Sequence, residues 1–188
     1  MNSVFITGTS TVGKTHLANK LAASLGIKRV GTDAMRIEML KDPLLEPWVN
    51  FYFDKDKEQF LTTTTCAEKW QKLVNQSEAF WPTIKKNIEA ALASGETAIF
   101  EGVNLLPHLM KEIEIKGVVL SATSEEDIFE RLKLNPRWGK EEKLQRLEAH
   151  NYFTCEGPGF LVEAEQFGIQ SFSDISAAEI ELRRLILS

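Results

Sequence analysis

The run Gly8-Thr9-Ser10-Thr11-Val12-Gly13-Lys14-Thr15 has the spacing G-x-x-x-x-G-K-[ST], and its chemistry is that of a phosphate-binding loop. Two glycines let the backbone curl so that successive N–H groups face inward, and the helix that follows adds partial positive charge at its start. Such a nest suits the phosphates of a nucleoside triphosphate, with Lys14 reaching the β and γ phosphates and the Thr15 hydroxyl ligating Mg²⁺. Further along, Asp33 and Glu101 each close a strand-like segment, Arg36 and Asn104 follow them by three residues, and Arg137 stands in a basic, turn-rich stretch. Carboxylates beside a phosphate loop serve a metal or an acceptor hydroxyl, and guanidinium groups meet phosphate charge.

These residues need a scaffold that gathers strand tips. Val4-Phe5-Ile6 is a β-prone run before the loop, and Leu17, Leu21 and Leu25 recur at helical spacing after it, with Gly26 as the stop. A second strand over 28–33 makes the opening a right-handed βαβ unit, which brings Asp33 to the carboxyl end of the sheet beside the loop. Asp33 also suits the N-cap of a helix beginning at Ala34, and the two roles are compatible. Residues 97–102 form a third, central strand with Glu101 at its tip, either serving Mg²⁺ or the acceptor, or held as a paired structural carboxylate. Asn104 either bonds a substrate oxygen or caps a helix over 105–112.

The remaining elements alternate in the same way. Helices are expected over 66–77 and 78–94, with Pro82 near a start or kink, then a strand over 115–121, a helix over 125–132 and another from about 140 to 149. That last helix continues past the Gly157-Pro158-Gly159 break into 160–166, followed by a fifth strand over 168–172 and a closing helix over 177–187. The pattern predicts an α/β fold: a three-layer αβα domain with a five-stranded parallel sheet. Arg131, Lys133, Arg137 and Lys140 crowd around Asn135-Pro136 and Gly139, which fits a lid over about 131–142, with Arg137 in the loop and Arg131 bracing it. Between about 41 and 65 the pattern is irregular, with Trp48, Phe51, Tyr52, Phe53 and Phe60 read as packing aromatics of an acceptor-side flap.

A chain of 188 residues, 43% hydrophobic and 26% charged, suits one domain over 1–188. The net charge of -5 argues against nucleic acid or an anionic membrane as partner, leaving a small-molecule acceptor; oligomeric state has no signal in the sequence. Cys66 and Cys155 are too few for a disulfide framework and lack metal-ligand spacing, so they read as reduced thiols of a cytoplasmic protein. The chain opens directly into a strand without a cationic and apolar leader, and His16, His108 and His150 follow no metal-binding pattern.

Three stretches carry a family resemblance. Gly8-Thr9-Ser10-Thr11-Val12-Gly13-Lys14-Thr15, Gly31-Thr32-Asp33-Ala34-Met35-Arg36 (a T-D-x-x-R strand tip) and Phe100-Glu101-Gly102-Val103-Asn104-Leu105-Leu106-Pro107 together resemble the small-molecule P-loop kinases, and among them the 2-phosphoglycerate kinases. That family has E-G-V-H-x-x-P at the third stretch, so Asn104 stands where it has His. The resemblance implies a P-loop NTPase fold of the nucleotide and shikimate kinase type, with a lid. It also implies transfer of the γ-phosphoryl of MgATP to an acceptor hydroxyl. Residues 8–15 and Lys14 then hold the nucleotide, and Thr15 with Asp33 or Glu101 holds Mg²⁺. Asp33 orients or deprotonates the acceptor, Arg36, Glu101 and Asn104 bind it, and Arg137 closes over the transferred group. A kinase for another metabolite or a nucleotide, and a nucleotide-binding regulator with slow ATPase activity, are the alternatives.

Overall fold

A computed structural model of the chain describes residues 1–51 and 56–188. Strand β1 (Val4–Thr7) leads into the phosphate loop and helix α1 (Lys14–Leu25), which ends on Gly26 in the left-handed conformation. Then come β2 (Lys28–Gly31), α2 (Thr32–Met39), α3 (Glu46–Asn50), α4 (Lys57–Thr63), α5 (Cys66–Ala93) and β3 (Ala98–Glu101). The second half contains α6 (Pro107–Met110), β4 (Lys116–Leu120), α7 (Glu125–Leu134) and α8 (Glu142–His150). A π-helical turn (Asn151–Glu156), α9 (Gly157–Gln166), β5 (Gln170–Phe172) and α10 (Ile175–Leu187) complete it.

The five strands form one parallel sheet in the order β2-β3-β1-β4-β5. Alternation along the strands splits the core. Val4, Ile6, Ile99, Val118 and Leu120 face α1 and α10, whereas Phe5, Phe100 and Val119 face α2, α5, α6 and α9. Helices on both faces make the central strands buried throughout, hence their continuous apolar runs. Strand β1 lies between β3 and β4, the chain passing from β1 to β2, back to β3 beside β1, and then over β1 to β4 on its other side, so the carboxyl end of β1 is where the sheet's order reverses and a crevice opens.

Three expectations are corrected. In place of two helices over 66–77 and 78–94 there is the single 28-residue helix α5 (Cys66–Ala93). Its start is fixed by a capping box between Thr65 and Glu68. Pro82 sits inside it at the loss of one backbone bond, about 3 kcal/mol, but Phe80, Trp81 and Ile84 are buried around it and contribute ~1.5–3 kcal/mol each. Second, the helix expected to continue past Gly157-Pro158-Gly159 does continue, but not as plain α-helix: α8 passes through the π-helical turn directly into α9. Pro158 has no N–H to give and its ring excludes an α-type carbonyl four residues back, and the wider turn accommodates both.

Third, Cys66 and Cys155 are bonded to each other rather than reduced. The first residue of α5 and the π-helical turn lie side by side, with Cα atoms 4.5 Å apart across 89 residues of sequence. The expected helix over 105–112 shortens to α6 (Pro107–Met110). In the stretch expected to be irregular, Trp48 packs on Phe51 and Phe51 edge-on to Phe60, with ring centres 6.3 and 6.0 Å apart, while Tyr52 and Phe53 lie outside the described residues. No helix among the described residues is long and apolar enough to cross a membrane.

Candidate functional site

The site is built from the carboxyl end of the sheet outward. Gly8 leaves β1 with φ +127°, and a Cβ there would stand 2.0 Å from the Leu120 carbonyl oxygen, so only glycine makes this turn. Thr11 is held at φ 63°, and Gly13 at φ 99° precedes α1. Helix α1 has neither a side-chain cap nor an acidic residue in its first turn, which leaves its first N–H groups available to an anion.

Lys14 is buried, and its Nζ donates to the carbonyl oxygens of Gly8 at 2.8 Å and Thr9 at 2.6 Å. Burial lowers its pKa to about 8, with Arg137 pushing the same way and Glu101, Asp33 and Glu156 opposing. An anion delivered to this ammonium favours its charged form. Thr15 Oγ1 is 3.2 Å from both carboxylate oxygens of Glu101, and Arg29 donates twice to Glu101 Oε1, at 2.6 and 3.1 Å. Glu101 thus combines a structural pairing with Arg29 and a place facing the loop. Gly31 makes room for it, since a Cβ there would press on both Arg29 and Glu101.

Asp33 lies in the first turn of α2, which begins at Thr32 with Gly31 at the N-cap position, and not at the cap itself. Its side chain is 69% exposed and 3.3 Å from Arg36 Nε. Arg36 lies over the Phe80 ring at 5.7 Å and donates to Asn104 Oδ1 at 3.2 Å. Asn104 is buried, and its amide donates to Ser77 Oγ at 2.9 Å and Gln76 Oε1 at 3.4 Å.

Two adjoining cavities result. The first, about 210 Å³, is lined by the phosphate loop with Asp33, Glu101, Arg131 and Arg137. The second, about 200 Å³, is lined by Arg36, Lys57, Gln76, Trp138, Tyr152 and Glu156 among others. Ser10, Val103 and Arg137 belong to both walls. Asn104 reaches neither; it stands behind the second and holds Arg36 and Gln76. Arg131 braces the loop, its Nη1 donating to the Thr11 carbonyl at 3.0 Å.

Lys57, Gln76, Trp138, Tyr152, Glu148 and Glu156 carry no motif and were not singled out from the sequence. Glu148 is fully buried on α8, accepts the Trp138 N–H at 3.1 Å and so fastens the loop between α7 and α8. Its Oε2 has no partner among the described residues, and burial raises its pKa to about 7. Glu156, 5% exposed, accepts from Asn151 Nδ2 at 2.8 Å and from Thr9 Oγ1 at 3.4 Å, and burial raises it to about 7 as well.

A family model described as an AAA domain matches residues 4–156. No curated protein matches in sequence. Among solved structures, a deoxyadenosine kinase from M. mycoides with bound dATP is 14% identical, with a TM-score of 0.50, and the match covers 99% of this chain and 100% of that one. An uncharacterized protein from Eubacterium ventriosum is 13% identical, with a TM-score of 0.50, over 98% and 97% of the two chains. A shikimate kinase from Bacteroides thetaiotaomicron is 17% identical, with a TM-score of 0.48, over 100% and 99%. At these identities the likeness is one of fold, extending over the whole length of the chains.

Proposed function

Because the chain belongs to the AAA-domain family, and carries the parallel sheet and phosphate loop of a P-loop nucleotide-binding fold, we propose that it is an ATP-dependent small-molecule kinase. It transfers the γ-phosphoryl of MgATP to a hydroxyl of a small anionic metabolite, and 2-phosphoglycerate is the first acceptor to try. The observation that carries this reading is the pair of cavities meeting at Ser10, Val103 and Arg137. One is suited to a nucleotide's phosphates. The other presents Arg36, Lys57 and Arg137 to a second ligand, a cationic wall that favours a phosphate or carboxylate.

The residues fit Mg²⁺. Thr15, Asp33 and Glu101 offer only oxygen ligands in the phosphate-side cavity, the donor set a hard cation prefers. When bound, the ion neutralises phosphate charge. The chain's own groups do the rest: the loop amides and Lys14 hold the donor phosphates, and Arg36, set by Asn104 and Asp33, orients the acceptor. Arg137, placed on both walls, meets the charge shared between donor and acceptor oxygens.

The test is ADP release with MgATP across small hydroxy acids, phosphorylated acids, sugars and nucleosides, with Lys14→Met as the blank. The expected result is stimulation by an anionic acceptor, strongest with 2-phosphoglycerate, and none in the blank. Nucleotide binding with no stimulation by any acceptor would refute the kinase and favour a nucleotide-binding regulator.

A further inference from the structure

We infer that Glu156, at the end of the π-helical turn, is the group that receives the proton of the acceptor hydroxyl, an assignment that rests on the kinase reading above. A buried carboxylate normally has a cation in contact, because removing its charge from water costs several kcal/mol. Glu156 has none in ion-pair contact among the described residues. Its bonds come from a neutral amide, Asn151, and a neutral hydroxyl, Thr9, which fix its position while leaving its charge uncompensated. The charged groups that act on it from the surrounding elements are Lys14 on α1, Arg137 in the lid loop and Lys69 on α5. Lys69 itself is committed to the Leu61 carbonyl at 2.7 Å.

Position supplies the second half of the argument. Glu156 lines the acceptor cavity together with Ser10, Arg36 and Arg137, and its Oε2 meets Thr9, the residue whose carbonyl also holds Lys14. The carboxylate therefore stands where the acceptor cavity touches the phosphate loop. Asp33 differs on each count: it is largely exposed, paired with Arg36, and part of the phosphate-side wall only. Burial keeps Glu156 protonatable near neutrality, which suits a group that takes and returns a proton.

In the step itself, a lone pair of the acceptor oxygen forms the new O–P bond. The bond from Pγ to the bridging oxygen breaks, with its electron pair leaving on ADP. The acceptor proton passes to a Glu156 carboxylate oxygen and later to water. Asp33 is left to the metal side.

The experiment measures wild type, Glu156→Gln and Glu156→Asp with MgATP plus 2-phosphoglycerate, and with MgATP alone, where water is the acceptor. Binding of a non-hydrolysable ATP analogue is measured by calorimetry, and a thermal melt checks folding. Turnover is expected to fall at least about 100-fold in Glu156→Gln, with analogue affinity unchanged and an intermediate rate in Glu156→Asp. The acid limb of the wild-type kcat profile, near neutrality, should vanish from the residual activity of Glu156→Gln. In the nucleotide-free protein, one glutamate carboxyl resonance titrating near neutrality should be missing from the same variant. Turnover within about 3-fold of wild type, in a Glu156→Gln protein that binds the analogue, would overturn the assignment. If 2-phosphoglycerate fails to stimulate wild type, Glu156-dependent hydrolysis by water still supports the assignment while the acceptor reading falls; Glu156-independent hydrolysis overturns it.

Discussion

Glu156→Gln should make the nucleotide-free protein more stable in neutral and mildly alkaline solution, and not in acid. The fold holds this carboxyl at about 7 against an ordinary 4.5, because burial opposes its charge more than Asn151, Thr9, Lys14 and Arg137 favour it. The sign follows from proton counting. Below about pH 4.5 the carboxyl is protonated in both states and its ionisation costs nothing. As pH rises from there, the unfolded chain ionises first, so stability falls until the folded group also ionises near 7. At about 1.4 kcal/mol per pH unit between the two values, the full loss is ~3 kcal/mol. Glutamine cannot ionise and escapes it. Its carbonyl still accepts from Asn151, and whatever else changes in hydrogen bonding is the same at every pH, so it cancels when two pH values are compared. Urea unfolding of both proteins at about pH 5 and about pH 7.5 spans the window while Lys14, lowered to about 8, remains mostly charged. The advantage of the variant should grow by ~2 kcal/mol between the two conditions. An advantage that does not change with pH would mean that the carboxyl is not held protonated, and the reasoning from burial would fail.

Removing the Arg137 side chain should lower acceptor-stimulated kcat by at least about 100-fold while changing analogue affinity less than about 3-fold; equal losses in both would make it a simple anchor. Gly102→Ala places a Cβ 1.9 Å from Thr32 Oγ1, where the tip of β3 meets the start of α2, and should cost ~1–3 kcal/mol in urea unfolding. An unchanged midpoint would show that Thr32 moves aside freely. Reduction of the Cys66–Cys155 bond frees a loop of 89 residues' separation and should cost ~2–4 kcal/mol, read as a lower denaturation midpoint with reductant than without; coincident curves would refute it.

What could be read from the sequence was what is local. Residues 8–15 announce themselves because glycine spacing, lysine and threonine must be consecutive for the backbone to wrap a phosphate, and the flanking strand and helix carry their own periodicities. Strand order then brought Asp33 and Glu101 to one end of the sheet, as right-handed crossovers require. The second cavity was less legible, since its wall is assembled across distance: Gln76 from α5, Lys57 from α4, Trp138 from the loop between α7 and α8, Glu156 from beyond α8. Asn104 illustrates the limit, because its place in a motif suggested contact with substrate, whereas its burial shows it holding Arg36 and Gln76. The cysteine pair, 89 residues apart, had no pattern at all. The unity of α5 was hidden by Pro82, although Thr65 and Glu68 spelled out its start.

The winding of residues 151–156 settles more than the path of the chain. In an α-helix each residue advances by about 100°, so two positions five apart point to nearly opposite sides. The wider π turn closes on the fifth residue, and it is this that lets Asn151 reach Glu156 at 2.8 Å along a single helix. The segment is wound like an α-helix that carries one extra residue, and the surplus turns the Glu156 carboxylate toward Thr9 of the phosphate loop. Deletion of one amino acid between Asn151 and Glu156 would therefore lose the arrangement even with both of those side chains kept. Across a family, the length of the segment is as informative as its letters.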